Sequence, residues 1–200
     1  MQYCDFIGNT VRGDGGGLSA AYDSHPKLKD CYFASNQAGR SGGGFACVAD
    51  EDYLYPSNAD VENVTVEFNH AVEEGGGIHV RWSNPVFLDV DVRDNVAGNE
   101  GGGINFFGSP DASLQNSQVC GNETGQIAGE YSDIGGNTIS NNCAYCECDI
   151  NGDAIVDVTD LLAVVGTWGP CVPCTTDIDG NGVVNVSDLL MVVGNWGDCN

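Results

Sequence analysis

The chain has 200 residues, 29 acidic against 6 basic, and a formal net charge of −23 at pH 7. That balance excludes nucleic acid as a partner, because phosphate backbones are held through Lys and Arg. No apolar run is long enough for a transmembrane segment, and ten cysteines point to an oxidising compartment outside the cytosol.

All six basic residues lie at or before Arg93, and the residues after it carry fifteen carboxylates. Such an asymmetry suits an extracellular or bacterial cell-surface protein. The sequence shows no signal peptide and enters directly on a repeat at Met1, so a C-terminal fragment with an export signal and earlier coils upstream is expected.

The repeat runs from the start. Phe6-Ile-Gly-Asn9 is followed by Gly15-Gly16-Gly17-Leu18, and Phe33-Ala-Ser-Asn36 by Gly42-Gly43-Gly44-Phe45. Val66-Glu-Phe-Asn69 leads to Gly75-Gly76-Gly77-Ile78, and Val92-Arg-Asp-Asn95 to Gly101-Gly102-Gly103-Ile104, with a degenerate copy at Val119-Cys-Gly-Asn122. A repeat of this length with residues in columns implies coils stacked by parallel strand pairing. Phe6, Phe33, Val66, Val92 and Val119 form one apolar column; Cys4, Cys31, Val64, Val90 and Ser117 form another two residues earlier. Leu18, Phe45, Ile78 and Ile104 form a third, and Ala20, Cys47, Val80 and Phe106 a fourth. The asparagines should turn each coil with stacked amides. The glycines should permit left-handed backbone or close approach.

These FxxN and GGG-aliphatic signatures, over about residues 1–128, resemble the polymorphic outer-membrane-protein repeat, which implies a right-handed parallel β-helix of a bacterial surface protein; the coils are expected to fill residues 1–142, irregular from about 125. The 33-residue coil carries an insertion, Asp50-Glu51-Asp52-Tyr53-Leu-Tyr55-Pro56, with Arg81-Trp82 at the matching level. It is a carboxylate–aromatic surface able to stack on carbohydrate, or a solvated loop. Asp14, Ser41, Glu74 and Glu100 fill the column before the glycines, where paired carboxylates serve a cation, acid–base chemistry or plain solvation. His25, His70 and His79 fall at different repeat phases, as do Arg12, Arg40, Arg81 and Arg93, which counts against a catalytic site here. Cys4 and Cys31 share a column, as thiols or as a disulfide.

From residue 143 to 200 one pattern is written twice. Asp149-Ile-Asn151-Gly-Asp153-Ala154-Ile155-Val-Asp157-Val-Thr-Asp160 recurs as Asp177-Ile-Asp179-Gly-Asn181-Gly182-Val183-Val-Asn185-Val-Ser-Asp188. Oxygen donors fall at loop positions 1, 3, 5, 9 and 12, with the carbonyls of Ile155 and Val183 at position 7. That spacing wraps a hard divalent ion, so two Ca2+ ions are expected. Each loop leads into one short helix, whose apolar residues should pack across a pseudo-two-fold with Trp168 and Trp196 as anchors. Tandem loop–helix units of this kind resemble a type I dockerin, a small α module. The resemblance implies calcium-dependent attachment to a cohesin-like or other surface or assembly protein through residues 143–200.

Cys146 maps onto Cys174 and Cys171 onto Cys199, so bonds Cys146–Cys171 and Cys174–Cys199 would clamp the two units, with a swapped pairing as the alternative. A zinc site among Cys143, Cys146, Cys148, Cys171 and Cys174 is the rival use of the thiols. The expected function is non-catalytic attachment. A polysaccharide lyase or glycoside hydrolase carrying the same tail is the alternative.

Overall fold

The computed structural model of the protein describes residues 1–49, 55–143, 148–151, 155–171 and 174–198. The chain divides into two compact units, Met1–Cys143 and Ala144–Asn200.

The first unit is mainly β and consists of stacked parallel sheets, as a β-helix requires. Its long sheet aligns Asp5–Ile7, Lys27–Ala34, Asp60–Glu67 and Val86–Arg93, then Ser113–Gln115 with Gln118–Cys120, and Ser132–Gly135 with Thr138–Ser140. A sheet of two-residue strands joins Thr10–Val11, Gln37–Ala38, His70–Ala71 and Val96–Ala97. The third joins Leu18–Ala20, Phe45–Val48, Ile78–Arg81, Ile104–Phe107 and Ile127–Gly129. Register confirms the expected columns: Phe6 pairs Phe33, Phe33 pairs Val66, Val66 pairs Val92 and Val92 pairs Val119. Phe45 likewise pairs Ile78, and Ile78 pairs Ile104. Phe6 and Phe33 stack face to face with ring centroids 4.4 Å apart.

One column escapes simple alternation. Leu28, Val61, Phe87 and Leu114 are buried three residues, not two, before Cys31, Val64, Val90 and Ser117. The cause is a left-handed residue inside or between the strands at Asp30, Asn63, Asp89 and Asn116, with φ between 49° and 53°. Each such residue bends the strand and resets which side chain points inward. Short polar side chains tolerate that conformation best, and Asn63 Nδ2 donates to Asp30 Oδ1 at 2.7 Å across it.

The glycine triplets divide the labour. The first of each, such as Gly42 at φ +70°, turns the coil in the left-handed region. A Cβ on the second would meet the next coil's main chain, as Gly43 would meet the Gly76 carbonyl oxygen at 2.2 Å. A Cβ on the third would strike the first apolar column, as Gly44 would strike Val66 Cγ1 at 2.9 Å.

Two polar ladders run up the coils. Asn36, Asn69, Asn95 and Asn122 are buried, and each takes the side-chain and main-chain N–H of the asparagine one coil earlier on its Oδ1 at 2.9–3.0 Å. Their Nδ2 groups also donate to the carbonyls of Phe6, Phe33, Val66 and Val92. The column ends at Gln126, whose Oε1 accepts from Asn122 N and Nδ2 and whose Nε2 donates to the Asn122 carbonyl. The second ladder is serine: the main-chain N–H groups of Ser24, Ser57 and Ser83 donate to the hydroxyls of Ser57, Ser83 and Ser109 at 3.1–3.2 Å.

Cys120 and Cys143 form a disulfide with Cα atoms 4.9 Å apart. Cys4 and Cys31 are thiols, whose Sγ atoms face the carbonyls of Gln2 and Lys29. Residues 50–54 of the expected insertion lie outside the described residues.

The second unit pairs two loop–helix copies. Helices α1 (Val158–Gly166) and α2 (Val186–Gly194) pack on each other. Ile155–Val156 pairs antiparallel with Gly197–Asp198, and Gly169–Pro170 with Val183–Val184, so each copy's loop is tied to the other copy's end. Nine-residue helices are marginal alone; here each begins with a capping box, Asp157 with Asp160 and Asn185 with Asp188. The core is Cys148, Val156, Val164, Val184 and Val192. Trp168 and Trp196 are not its anchors: both are more than half exposed, because they follow the helices' last turns and leave the interface to the valines. Cys171 is bonded to Cys174, with Cα atoms 5.9 Å apart, so the expected clamps through these two cysteines do not form; Cys146 and Cys199 lie outside the described residues.

Candidate functional site

The duplicated loops use their oxygens locally. Asp188 is fully buried; its Oδ1 accepts from the N–H groups of Ile178 and Asp179, and its Oδ2 from Asn185. Asp160 takes Ile150, Asn151 and Asp157 in the same way. Burial would raise both carboxyls, but the main-chain N–H groups outweigh it and hold them below the usual carboxylate range.

Asp157 and Asn185 cap the helices. Asn151 Nδ2 donates to Thr159 Oγ1 at 2.8 Å, and Ile155 and Val183 are exposed. Asp177 accepts from Asn181 and Gly182, Asp179 accepts from Asn181, and Asn181 Oδ1 accepts from Val183. The Val183 carbonyl accepts from Asn185 Nδ2. Asp149 is partly buried, and Asp153 lies outside the described residues. Among the described residues the loops yield one group whose ligand atoms lie close together, within 4.8 Å: Asp177, Asp179 and Asp188.

A second constellation lies on the solenoid where the glycine turns meet the third sheet. A cleft of about 280 Å³ is lined by Asp14, Arg40, Ser41, Glu73, Glu74, His79, Arg81, Trp82 and Phe107. A neighbouring hollow of about 220 Å³ shares Asp14, Arg40 and Arg81 and adds Tyr22. Asp14 fixes the rim, accepting from Ser41 N at 3.1 Å and lying 3.7 Å from Arg40 Nη1. Glu74 and Glu100 stand on adjacent coils as expected, and burial together with repulsion from Glu100 raises the Glu74 carboxyl.

His79 is 4% exposed. Burial pushes its imidazole down to about 4, so it is neutral; its Nδ1 has no hydrogen-bond partner and lies 3.9 Å from Glu74 Oε2. Arg81 Nε is likewise buried without a partner, its guanidinium 5.3 Å from the centre of the Trp82 ring. Trp82 meets Phe107 edge to face at 5.1 Å.

Repeat phase did not forecast this gathering. Arg40 and Arg81 stand out of phase along the chain yet line one cleft, because the coil's turn residues converge from different columns. The hint lay in the Arg81-Trp82 pair noted beside the insertion. His25, by contrast, is engaged by Asp23 and the Asn58 carbonyl, and His70 is exposed on the two-residue sheet.

Stacked parallel coils with buried amide ladders define a parallel β-helix protein. The chain belongs to the family described as periplasmic copper-binding protein (NosD), which it matches over residues 47–148, about half its length. No curated protein and no solved structure matched. A periplasmic family agrees with the oxidising setting inferred from the cysteines. Among the described residues, no helix is long and apolar enough to cross a membrane.

The match corrects the expectation of two Ca2+ ions. The family is described as copper-binding, and the loops spend most of the expected oxygens on their own N–H groups. Copper does not fit either. It favours imidazole, thiolate and thioether donors, whereas the one described group of three or more His, Cys, Asp or Glu residues able to share an ion is all oxygen.

Proposed function

We propose that this is an exported, non-catalytic β-helix protein whose helical C-terminal unit attaches it to a cohesin-like partner or another component of a surface or multiprotein assembly, while the solenoid presents a binding face. One observation carries the reading. α1 and the residues after it leave Val158, Leu162, Val165 and Trp168 about half exposed, and α2 repeats this at Val186, Leu190, Val193 and Trp196.

Positions i, i+4 and i+7 lie on one helix face. An apolar stripe kept in water in both copies is what a docking surface requires. With no Lys or Arg after Arg93, the complementary partner surface is apolar with a basic rim. The copper of the family's description has no part in this reading, since no imidazole–thiolate set among the described residues supports it.

The test is surface plasmon resonance of the whole chain over immobilised cohesin domains and over envelope proteins of the source cell. Wild type should bind one of these surfaces, and L162E/L190E should weaken binding at least tenfold. Equal binding by the variant, or none by wild type, would overturn the reading.

A further inference from the structure

The cleft and its neighbour are two hollows, each with an aromatic side chain, Trp82 in one and Tyr22 in the other, joined across Asp14, Arg40 and Arg81. Two polar atoms buried at this place have no protein partner, His79 Nδ1 and Arg81 Nε. Such atoms are costly to leave unmet, and together they ask for a ligand that both donates and accepts hydrogen bonds.

Ligand chemistry follows by elimination. A metal cation would face the guanidinium groups of Arg40 and Arg81. A phosphate or other polyanion would face Asp14, Glu73 and Glu74, within a chain of net charge −23 that repels it at long range. A purely apolar ligand would leave the charged lining desolvated and unpaired. Uncharged rings bearing hydroxyls meet every demand: hydroxyls pair with carboxylate, guanidinium and imidazole, and the ring's C–H face lies against an aromatic side chain.

We infer that the twin hollow of the solenoid binds a neutral oligosaccharide of at least two sugar units, with Arg81 and His79 as polar contacts in the first hollow and Tyr22 as a platform in the second. The inference deepens the binding face proposed above and rests on that reading, but the site is separate from the helical tail. A volume of about 280 Å³ takes one sugar ring with its water, and the adjoining hollow takes the next.

The experiment uses the whole chain. An array of neutral and uronate oligosaccharides is screened first, and the best neutral tetrasaccharide and its constituent monosaccharide are then titrated calorimetrically into wild type, R81Q and Y22A. Neutral sugars should bind in preference to uronates. R81Q should lose about tenfold on both lengths. Y22A, at a side chain 80% exposed and therefore harmless to folding, should lose affinity for the tetrasaccharide more than for a monosaccharide. A preference for uronates, no neutral binder on the array, or binding indifferent to both substitutions would overturn the inference. L162E/L190E should retain sugar binding, so a failed tail and a failed cleft give different results.

Discussion

Asn69 binds Asn95 twice. The Asn69 side-chain Nδ2 donates to Asn95 Oδ1 at 3.0 Å, and its main-chain N–H donates to the same oxygen at 2.9 Å. Asn69 Oδ1 in turn receives both N–H groups of Asn36, so each amide satisfies the coil before it and is satisfied by the coil after it. A buried polar ladder with every valence met fixes register in a way an apolar column cannot.

Asn69→Ala should therefore cost more than its size suggests. It strands the Asn36 donors and the Phe33 carbonyl in the core, at ~1–3 kcal/mol for each group left unmet. A lowered urea midpoint with an unchanged slope would show it. A loss under 1 kcal/mol would mean that water replaces the ladder.

Gly43→Ala and Gly13→Ala form a matched pair. A Cβ at Gly43 would lie 2.2 Å from the Gly76 carbonyl oxygen, whereas at Gly13 it meets nothing within 4 Å. Gly43→Ala should destabilise by about 3 kcal/mol or prevent folding, and Gly13→Ala should be neutral. Thermal melts of the two variants decide it.

His79 gives the solenoid a pH dependence. Its pKa in the folded chain is about 4 against 6.5 for a free imidazole, chiefly through burial. Between those values the unfolded chain takes up a proton that the folded chain refuses. Stability contributed by the neutral imidazole is thus complete above pH 6.5 and is lost as pH falls towards 4. His79→Gln should remove that part of the slope, worth up to ~3 kcal/mol. Parallel urea titrations at pH 7 and pH 4.5 measure the difference; equal slopes in both proteins would refute it.

Much of the solenoid was legible because its columns repeat at the Asn9, Asn36, Asn69, Asn95 and Asn122 intervals. The serine ladder keeps the same step from Ser57 to Ser83 to Ser109, yet serine is too common for its recurrence to stand out. The column of Leu28, Val61, Phe87 and Leu114 was hidden because left-handed residues such as Asp30 break period-two counting. The cleft was harder still. His79 and Arg81 are neighbours on one strand, but Asp14, Arg40 and Glu74 reach them only through the turns. In the tail, the loop spacing suits an ion cage. The same oxygens equally suit the closing of a turn on main-chain N–H groups, and Asp188 does so.

The Cys120–Cys143 bond closes a loop with a sequence separation of 23, which chain-entropy arguments value at about 3 kcal/mol. Dithiothreitol, or Cys120→Ser with Cys143→Ser, should lower the urea midpoint and speed proteolysis between these positions first. Unchanged cleavage would show that strand pairing alone holds the last coils.

Gln126 gives the amide column an ending as well as a continuation. Its carboxamide reaches back to Asn122 in its own turn, so Asn122 has no idle N–H to extend towards a newcomer. A stacked column that finished on an open asparagine would be a template on which another molecule could add, layer upon layer, as fibrils grow. By answering itself, the column resists such unlimited lengthening and leaves a solenoid that is deaf to its own copies.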